Sequence, residues 1–264
     1  MQKKINVSAF IQPLVTGLFS NSPFKNGKLS GFETYRGHVW TQTDPDRTGI
    51  PKFLTEKSMS FEQYVDYALQ VPVYAVIRDS RYYNCTEFTF SELLEGKNEN
   101  FNSDDITIED WINHISTIFT EVRLKTFIEM RGADAGNYDS LCALPAFWTG
   151  ILYQKEALEE TYNIISDFTY EDLMNFRKDV ISKGLDASYG KTNGWALAER
   201  FLNISFNGLK KRDQKNLYGD DETVHLDYLF EVITKKENAS RKAIERYFSN
   251  EVLKVKELFE SESF

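Results

Sequence analysis

Between residues 5 and 19, the apolar side chains Phe10, Ile11, Leu14, Val15, Leu18 and Phe19 recur at i, i+1, i+4, i+5 spacing. That spacing predicts a buried amphipathic helix. Lys3 and Lys4 ahead of it give the outline of a signal peptide, but Asn6, Ser8, Gln12 and Pro13 interrupt the apolar run and no A-x-A site follows. Residues 21–31 are dense in Pro, Asn, Ser and Gly and read as a loop. Over residues 35–43, Arg36, His38 and Trp40 alternate with Gly37, Val39 and Thr41, a period of two that predicts a strand or extended segment. Asp44-Pro45-Asp46-Arg47-Thr48-Gly49 follows as a polar turn. Residues 60–69 predict a helix with Ser60 as N-cap and Gln63 at the capping-box position. Residues 71–77 and 81–85 predict a strand pair, 90–94 a short helix, 96–105 a polar loop, 108–118 a helix and 124–131 a strand.

From Leu141 onward the periodicity is helical. Helices are expected over residues 143–153, 156–166, 170–181 and 195–209, with polar loops at 184–194 and 213–223. A last pair covers 224–234 and 240–259, where Ala243, Ile244, Tyr247 and Phe248 make an apolar stripe. The expected class is α+β, with strands and helices in residues 1–153 and a helical layer packed on them in 154–264.

With 264 residues, 41% of them hydrophobic, the chain can bury a substantial core. The net charge of -9 is interleaved along the length and leaves no basic stripe to track a phosphate backbone, which argues against a nucleic-acid partner. A small polyanion is a different matter, because a pocket needs only two or three convergent cations. Cys85 and Cys142 have no metal-ligand spacing and cannot make a disulfide framework for a chain of this size, so a reducing cytoplasm is the expected compartment. No segment has membrane-spanning length.

Candidate chemistry concentrates in two segments. In Phe127-Ile128-Glu129-Met130-Arg131-Gly132-Ala133-Asp134, a strand puts Ile128 and Met130 on one face and Glu129 and Arg131 on the other, about 7 Å apart. The plain alternative is a solvent-facing ion pair worth ~0.5 kcal/mol. In Arg36-x-His38-x-Trp40, a cation, an imidazole and an aromatic wall could bind a carboxylate. The plain alternative pairs Arg36 with Asp44 or Asp46 and leaves Trp40 as core. The common phosphate-binding and metalloprotease motifs are absent, and His114 and His225 match no metal spacing and read as structural or exposed.

At these segments the chain resembles the glutamate-cysteine ligases of plants and many proteobacteria. The resemblance runs in order through Gln12-Pro13, Leu18-Phe19-Ser20-Asn21-Ser22-Pro23-Phe24, Arg36-Gly37-His38-Val39-Trp40-Thr41 and Asp44-Pro45-Asp46-Arg47-Thr48-Gly49. It continues through residues 61–69, Val71-Pro72-Val73-Tyr74, Glu129-Met130-Arg131-Gly132-Ala133-Asp134 and Leu141-Cys142-Ala143-Leu144-Pro145-Ala146-Phe147-Trp148. Beyond Asp167 it thins.

The resemblance implies an antiparallel sheet curved around the active site and flanked by helices, as in the glutamine synthetase superfamily. It implies a two-step reaction: the glutamate γ-carboxylate attacks the γ-phosphate of ATP, and the cysteine amine then displaces phosphate from γ-glutamyl phosphate. Mg2+ is the implied metal and Glu129 its carboxylate ligand, with Arg131 the phosphate-facing cation assisted by Arg47. Arg36 is implied to clamp the glutamate α-carboxylate, Tyr74 to border the cysteine pocket, and His38 and Trp40 to lie behind them on the substrate side. The family's N-terminal half, with its paired glutamates for metal, has no counterpart here, so the chain alone is expected to be inactive or nearly so. A complementary N-terminal chain or a homodimer is the expected partner beyond the small substrates. The competing expectation is a non-catalytic ligase remnant that binds a partner chain or a small anion.

Overall fold

The computed structural model describes residues 1–249. The chain opens with α1 (Gln2–Leu18), the hairpin β1 (Phe24–Lys25) and β2 (Lys28–Leu29), and α2 (Tyr35–Trp40). Next come β3 (Thr48–Gly49), α3 (Phe61–Gln70), β4 (Ala75–Arg78), β5 (Arg81–Asn84), α4 (Phe90–Leu94) and α5 (Ile108–Ser116). Then follow β6 (Phe119–Thr120), β7 (Val122–Leu124), β8 (Ile128–Met130), α6 (Tyr138–Leu152), α7 (Lys155–Ile165) and α8 (Tyr170–Lys183). The remainder is β9 (Ser188–Tyr189), β10 (Thr192–Asn193), α9 (Gly194–Arg212), α10 (Asp227–Lys235) and α11 (Ala239–Phe248). The mixture of helices and small sheets is α+β in character. Among the described residues the strands make five two-stranded ladders, not one curved antiparallel sheet. Strands of two to four residues offer too few ladder bonds to recruit further neighbours, and one ladder, β3 with β6, is parallel.

Contacts divide the described residues into two compact units, one of residues 3–39 with 132–249 and the other of residues 40–131. These limits cut across the division at residue 153 drawn from secondary-structure content.

In the first unit α1 is buried on every side from Ile5 to Leu18, its polar Asn6, Ser8, Gln12 and Thr16 included, so it is a core helix without a solvent face. Among the described residues no helix is long and apolar enough to cross a membrane. Helices α6 and α9 cross where Gly150 meets Gly208: a Cβ on Gly208 would stand 2.0 Å from the Gly150 carbonyl oxygen, and one on Gly150 would stand 2.2 Å from that of Ser205. The expected loop at 21–31 is a tight hairpin, because Asn26 and Gly27 take the positive φ values of 51° and 74° that a two-residue turn demands. The last expected helix appears as α11; its continuation past residue 249 lies outside the described residues.

The strand expected over 35–43 is instead the helix α2. Period two over six residues is too short a signal to outweigh caps supplied from outside the segment. Thr34 Oγ1 accepts the Gly37 N–H at 3.0 Å and Ser22 Oγ accepts the Arg36 N–H at 3.1 Å, satisfying first-turn donors.

In the second unit α3, α4 and α5 each begin with a complete capping box, on Ser60 and Gln63, Thr89 and Glu92, and Thr107 and Asp110. Their apolar faces close over Val73, Val76, Cys85, Phe90, Leu93 and Phe101. The strand expected over 124–131 is split: Lys125 N–H donates to the Phe127 carbonyl at 2.8 Å, turning the chain so that β7 and β8 pair antiparallel.

Candidate functional site

The β7–β8 hairpin assembles a cluster of charged side chains in the second unit. Its register sets Arg123 directly opposite Glu129, with Val122 opposite Met130 and Leu124 opposite Ile128. Cross-strand partners face one way, and Arg131, two residues beyond Glu129, projects from the same side. Arg123 Nε donates to Glu129 Oε2 at 2.6 Å and Arg131 Nη1 donates to Oε1 at 3.2 Å, so both carboxylate oxygens are engaged. Arg123 is buried and its Nη1 also donates to the Ser116 and Ile118 carbonyls, at 3.0 and 3.2 Å. The Arg131 guanidinium lies 5.6 Å from the Trp40 ring centroid and 5.4 Å from that of Phe119, within cation–π range of both.

Two guanidiniums around one carboxylate leave one positive charge in excess among these three groups, and Arg131 is the more accessible of the two arginines, with 22% of its side chain exposed against 8% for Arg123. That arrangement attracts an anion. It does not by itself make a magnesium site. Magnesium seeks about six oxygen ligands in an octahedron. Among the described residues no three Asp, Glu, His or Cys side chains come together to hold an ion.

Partial burial pushes the Glu129 carboxyl up, but the hydrogen bond and charge of Arg123, with the charges of Arg131 and Lys125, outweigh it and hold the group below its ordinary 4.5. A depressed carboxyl contributes stability that is complete above its unfolded value and is lost as pH falls through the lower folded value. Arg123→Met should therefore raise the Glu129 titration toward 4.5 when its side-chain carboxyl is followed by 13C NMR. A titration unchanged from the parent protein would show that Arg123 does not hold the carboxylate.

Arg47, expected to assist with phosphate, is instead among the most buried side chains, with 1% of its side chain exposed. Its Nε donates to Asp44 Oδ2 at 2.6 Å, Nη1 to Thr117 Oγ1 at 3.1 Å and Nη2 to the Pro72 carbonyl at 2.7 Å. The Tyr74 ring stacks on it, with the guanidinium carbon 3.5 Å from the centroid, and the Tyr74 hydroxyl donates to Asp44 Oδ2 at 3.3 Å. Arg47 is thus an internal tie that fixes the 44–49 turn and the Tyr74 ring, and it presents no guanidinium edge to solvent. Burial and the neighbouring Asp44 raise the Tyr74 phenol above its ordinary value in spite of Arg47.

Arg36 and His38 belong to the first unit. Because α2 is a helix, Arg36, His38 and Trp40 do not project from one face as a strand would place them. Arg36 Nη1 donates to the Gly132 carbonyl at 3.1 Å. His38 stacks on Phe32, with ring centroids 4.2 Å apart. Asp134 organises this corner: its Oδ2 accepts from the Ser22 hydroxyl at 2.6 Å and the Asn21 N–H at 2.8 Å, and its Oδ1 from Thr34 Oγ1 at 3.2 Å. One turn of α1 away from Thr16, which donates to the Gly132 carbonyl at 3.3 Å, both amide atoms of Gln12 are buried without a hydrogen-bond partner.

Sequence reasoning assigned no role to Arg123, Asp134 or Gln12. Arg123 would have been found by drawing a hairpin through residues 122–130, but its turn holds no Gly or Pro to announce it. Asp134 stood in the Glu129–Asp134 motif with no signal of its hydrogen bonds. Nothing in a sequence marks a buried amide as unpartnered.

Comparison with known proteins bears on the chain as a whole. Residues 2–230 match the model of glutamate-cysteine ligase family 2 (GCS2). The chain is 43% identical over 217 residues to glutamate–cysteine ligase A, chloroplastic, of Oryza sativa subsp. indica, covering 82% of this chain and 44% of the relative. It is 41% identical over 247 residues to the chloroplastic glutamate–cysteine ligase of Medicago truncatula, covering 94% of this chain and 47% of the relative. Against that of Nicotiana tabacum it is 39% identical over 260 residues, 98% of this chain and 49% of the relative. The chain spans about half the length of the curated relatives it matches. Their chloroplastic names overturn the cytoplasmic expectation: two unpaired thiols argue against a disulfide-built protein but do not tell one reducing compartment from another. With a family match over residues 2–230 and such relatives along most of its length, the chain belongs to glutamate-cysteine ligase family 2.

Proposed function

We propose that this chain supplies the guanidinium-bearing part of an ATP-dependent ligase that joins the γ-carboxylate of glutamate to cysteine through γ-glutamyl phosphate, the entry to glutathione synthesis. The reading is carried by Arg131, paired with Glu129 and held between Trp40 and Phe119. It is supported by the relatives, each named glutamate–cysteine ligase. A carboxylate brought to about 4 Å from a phosphate oxygen meets roughly 4 kcal/mol of repulsion per charge pair at an effective dielectric near 20. Arg131 offsets that repulsion and the charge that builds on the transferred group. Arg123 is a positioning residue that keeps Glu129, and through it Arg131, in place. Arg36 takes the α-carboxylate of glutamate, a planar match that a lysine does not reproduce. Tyr74 borders the cysteine subsite, and Arg47 acts through it as a positioning residue, not as a phosphate ligand. His38 and Trp40 support the substrate side. The antiparallel hairpins β4–β5 and β7–β8 are compatible with membership in the glutamine synthetase-like superfamily.

Glu129 as a metal ligand would need further carboxylates to complete the shell, and its oxygens serve Arg123 and Arg131. Glu129 by itself therefore does not make a magnesium site among the described residues.

Calorimetric titration of glutamate tests the reading. Arg36→Ala should weaken glutamate binding about ten- to a hundred-fold, the size of a lost hydrogen-bonded charge contact. Equal affinity in parent and variant, or no glutamate binding to the folded chain, would remove Arg36 from the substrate site.

A further inference from the structure

We infer that Gln12 recognises the α-amino acid head group of glutamate beside Arg36, an inference that rests on the ligase reading and adds to it a residue for the ammonium group. Gln12 lies on α1 with no exposed surface, and among the described residues neither its amide oxygen nor its amide nitrogen has a hydrogen-bond partner. Buried polar side-chain atoms are paired in the large majority of cases, and an unpaired one costs free energy. Methionine or leucine would fill the same space in a core helix without that cost. A glutamine with both ends unpaired therefore points to a group that arrives from outside the chain.

The amide packs against Gly132. A Cβ there would overlap the Gln12 amide nitrogen and stand 2.5 Å from Thr16 Oγ1, so a glycine is what leaves the amide its place. The Gly132 carbonyl accepts from Arg36 Nη1 at 3.1 Å and from Thr16 Oγ1 at 3.3 Å, which joins the guanidinium to the face of α1 that carries Gln12. Gly132 belongs to the stretch 131–137 between β8 and α6, which is neither helix nor strand. An ionised carboxylate is a stronger acceptor for a guanidinium than a peptide carbonyl is. The α-carboxylate of glutamate therefore displaces the Gly132 carbonyl from Arg36, and the Gly132 peptide, swinging aside, uncovers the amide. An amino acid head group carries acceptor oxygens and N–H donors on neighbouring atoms, and a primary amide carries one acceptor and two donors, so the two are complementary. Gln12 Oε1 accepts from the α-ammonium and Nε2 donates to the α-carboxylate. Asp134, two residues beyond Gly132, adds a buried negative charge that favours an ammonium group nearby, while its own oxygens accept from Ser22, Asn21 and Thr34. A dicarboxylate without the amino group satisfies Arg36 but leaves Oε1 unpaired.

Calorimetric titration with glutamate and with glutarate, which lacks only the α-ammonium, tests the assignment in the parent chain, Gln12→Met and Arg36→Ala. The parent is expected to bind glutamate about ten-fold more tightly than glutarate. Gln12→Met should weaken glutamate about ten-fold and glutarate less than about three-fold, erasing the preference, whereas Arg36→Ala should weaken both. Methionine keeps the length of the side chain and removes two unpaired polar atoms, so the variant should melt at or above the parent temperature. The ratio of the two affinities is read within one protein sample and does not depend on the fraction folded. Equal weakening of both ligands in Gln12→Met would assign Gln12 to packing and overturn the inference, as would an unchanged glutamate affinity. In either case the Arg36→Ala result still decides the ligase reading by itself. A parent chain that binds neither ligand would remove both.

Discussion

Glu33→Ala is expected to lower the unfolding free energy of this protein by about 3 kcal/mol, read as a fall in the urea midpoint at constant m-value. Glu33 is 7% exposed and lies in the segment between β2 and α2. Its Oε1 accepts from Arg241 Nε at 2.8 Å and its Oε2 from Asn238 Nδ2 at 2.9 Å. The Asn238 amide also donates to the Gly17 carbonyl at the end of α1, and the Glu33 carbonyl accepts from Ser240 Oγ at 2.7 Å. Arg241 reaches on to Asp186 at 2.7 Å, and Asp186 accepts the Trp195 indole N–H at 2.8 Å. One carboxylate therefore ties α1, the turn after α8, α9 and α11 together. Removing it strands a half-buried guanidinium with a single remaining carboxylate and takes one of its two acceptors from a buried amide, and such losses cost more than the intact pair contributes. A loss below about 1 kcal/mol would show that the network adds order without stability.

On the proposed ligase reading, and in a complete ligase that carries this chain's sequence, Arg131→Lys carries the largest expected effect on turnover, a fall of about 10²- to 10³-fold in kcat with a much smaller change in the KM for glutamate, measured as glutamate- and cysteine-dependent ADP release. Lysine keeps the charge but loses the planar guanidinium that lies near Trp40 and Phe119 while bonding Glu129. An interaction that grows as charge builds on the transferred group appears in kcat; one that merely holds substrate appears in KM. Equal kcat in parent and variant would move the transition-state cation elsewhere. Arg47→Lys separates the two arginines: its donors are spent on Asp44, Thr117 and Pro72, so that variant should lose stability before it loses turnover per folded molecule.

Much of the helical frame was legible because it is written locally. The capping box on Ser60 and Gln63, read from the sequence, opens α3, and the helices expected at 90–94 and 108–118 prove to open with boxes of the same kind on Thr89 and Thr107, each within four residues of the donors it satisfies. The pairing of Glu129 with Arg131 was legible for the same reason, since alternation along a strand is a property of neighbours. The family was legible from ordered motifs. Where partners come from far along the chain, the local pattern misled. Residues 35–40 alternate like a strand, but Ser22, fourteen positions upstream of Arg36, helps cap them into a helix. Arg47 looked like a reaching cation until Pro72 and Thr117 closed around it.

The sequence by itself determined the kind of protein this is, the position of most helices and the segments that carry charge, because periodicity, caps and motifs are short-range properties of the chain. Only the tertiary structure decided which charges are spent and which remain for chemistry. It set Arg123 across from Glu129 through a turn with no Gly or Pro, buried Arg47 and centred Asp134 on three hydrogen-bond donors. A guanidinium or a carboxylate has the same formula in a motif whether it faces solvent or a carbonyl, and its remaining donors are settled by residues that folding brings to it from elsewhere.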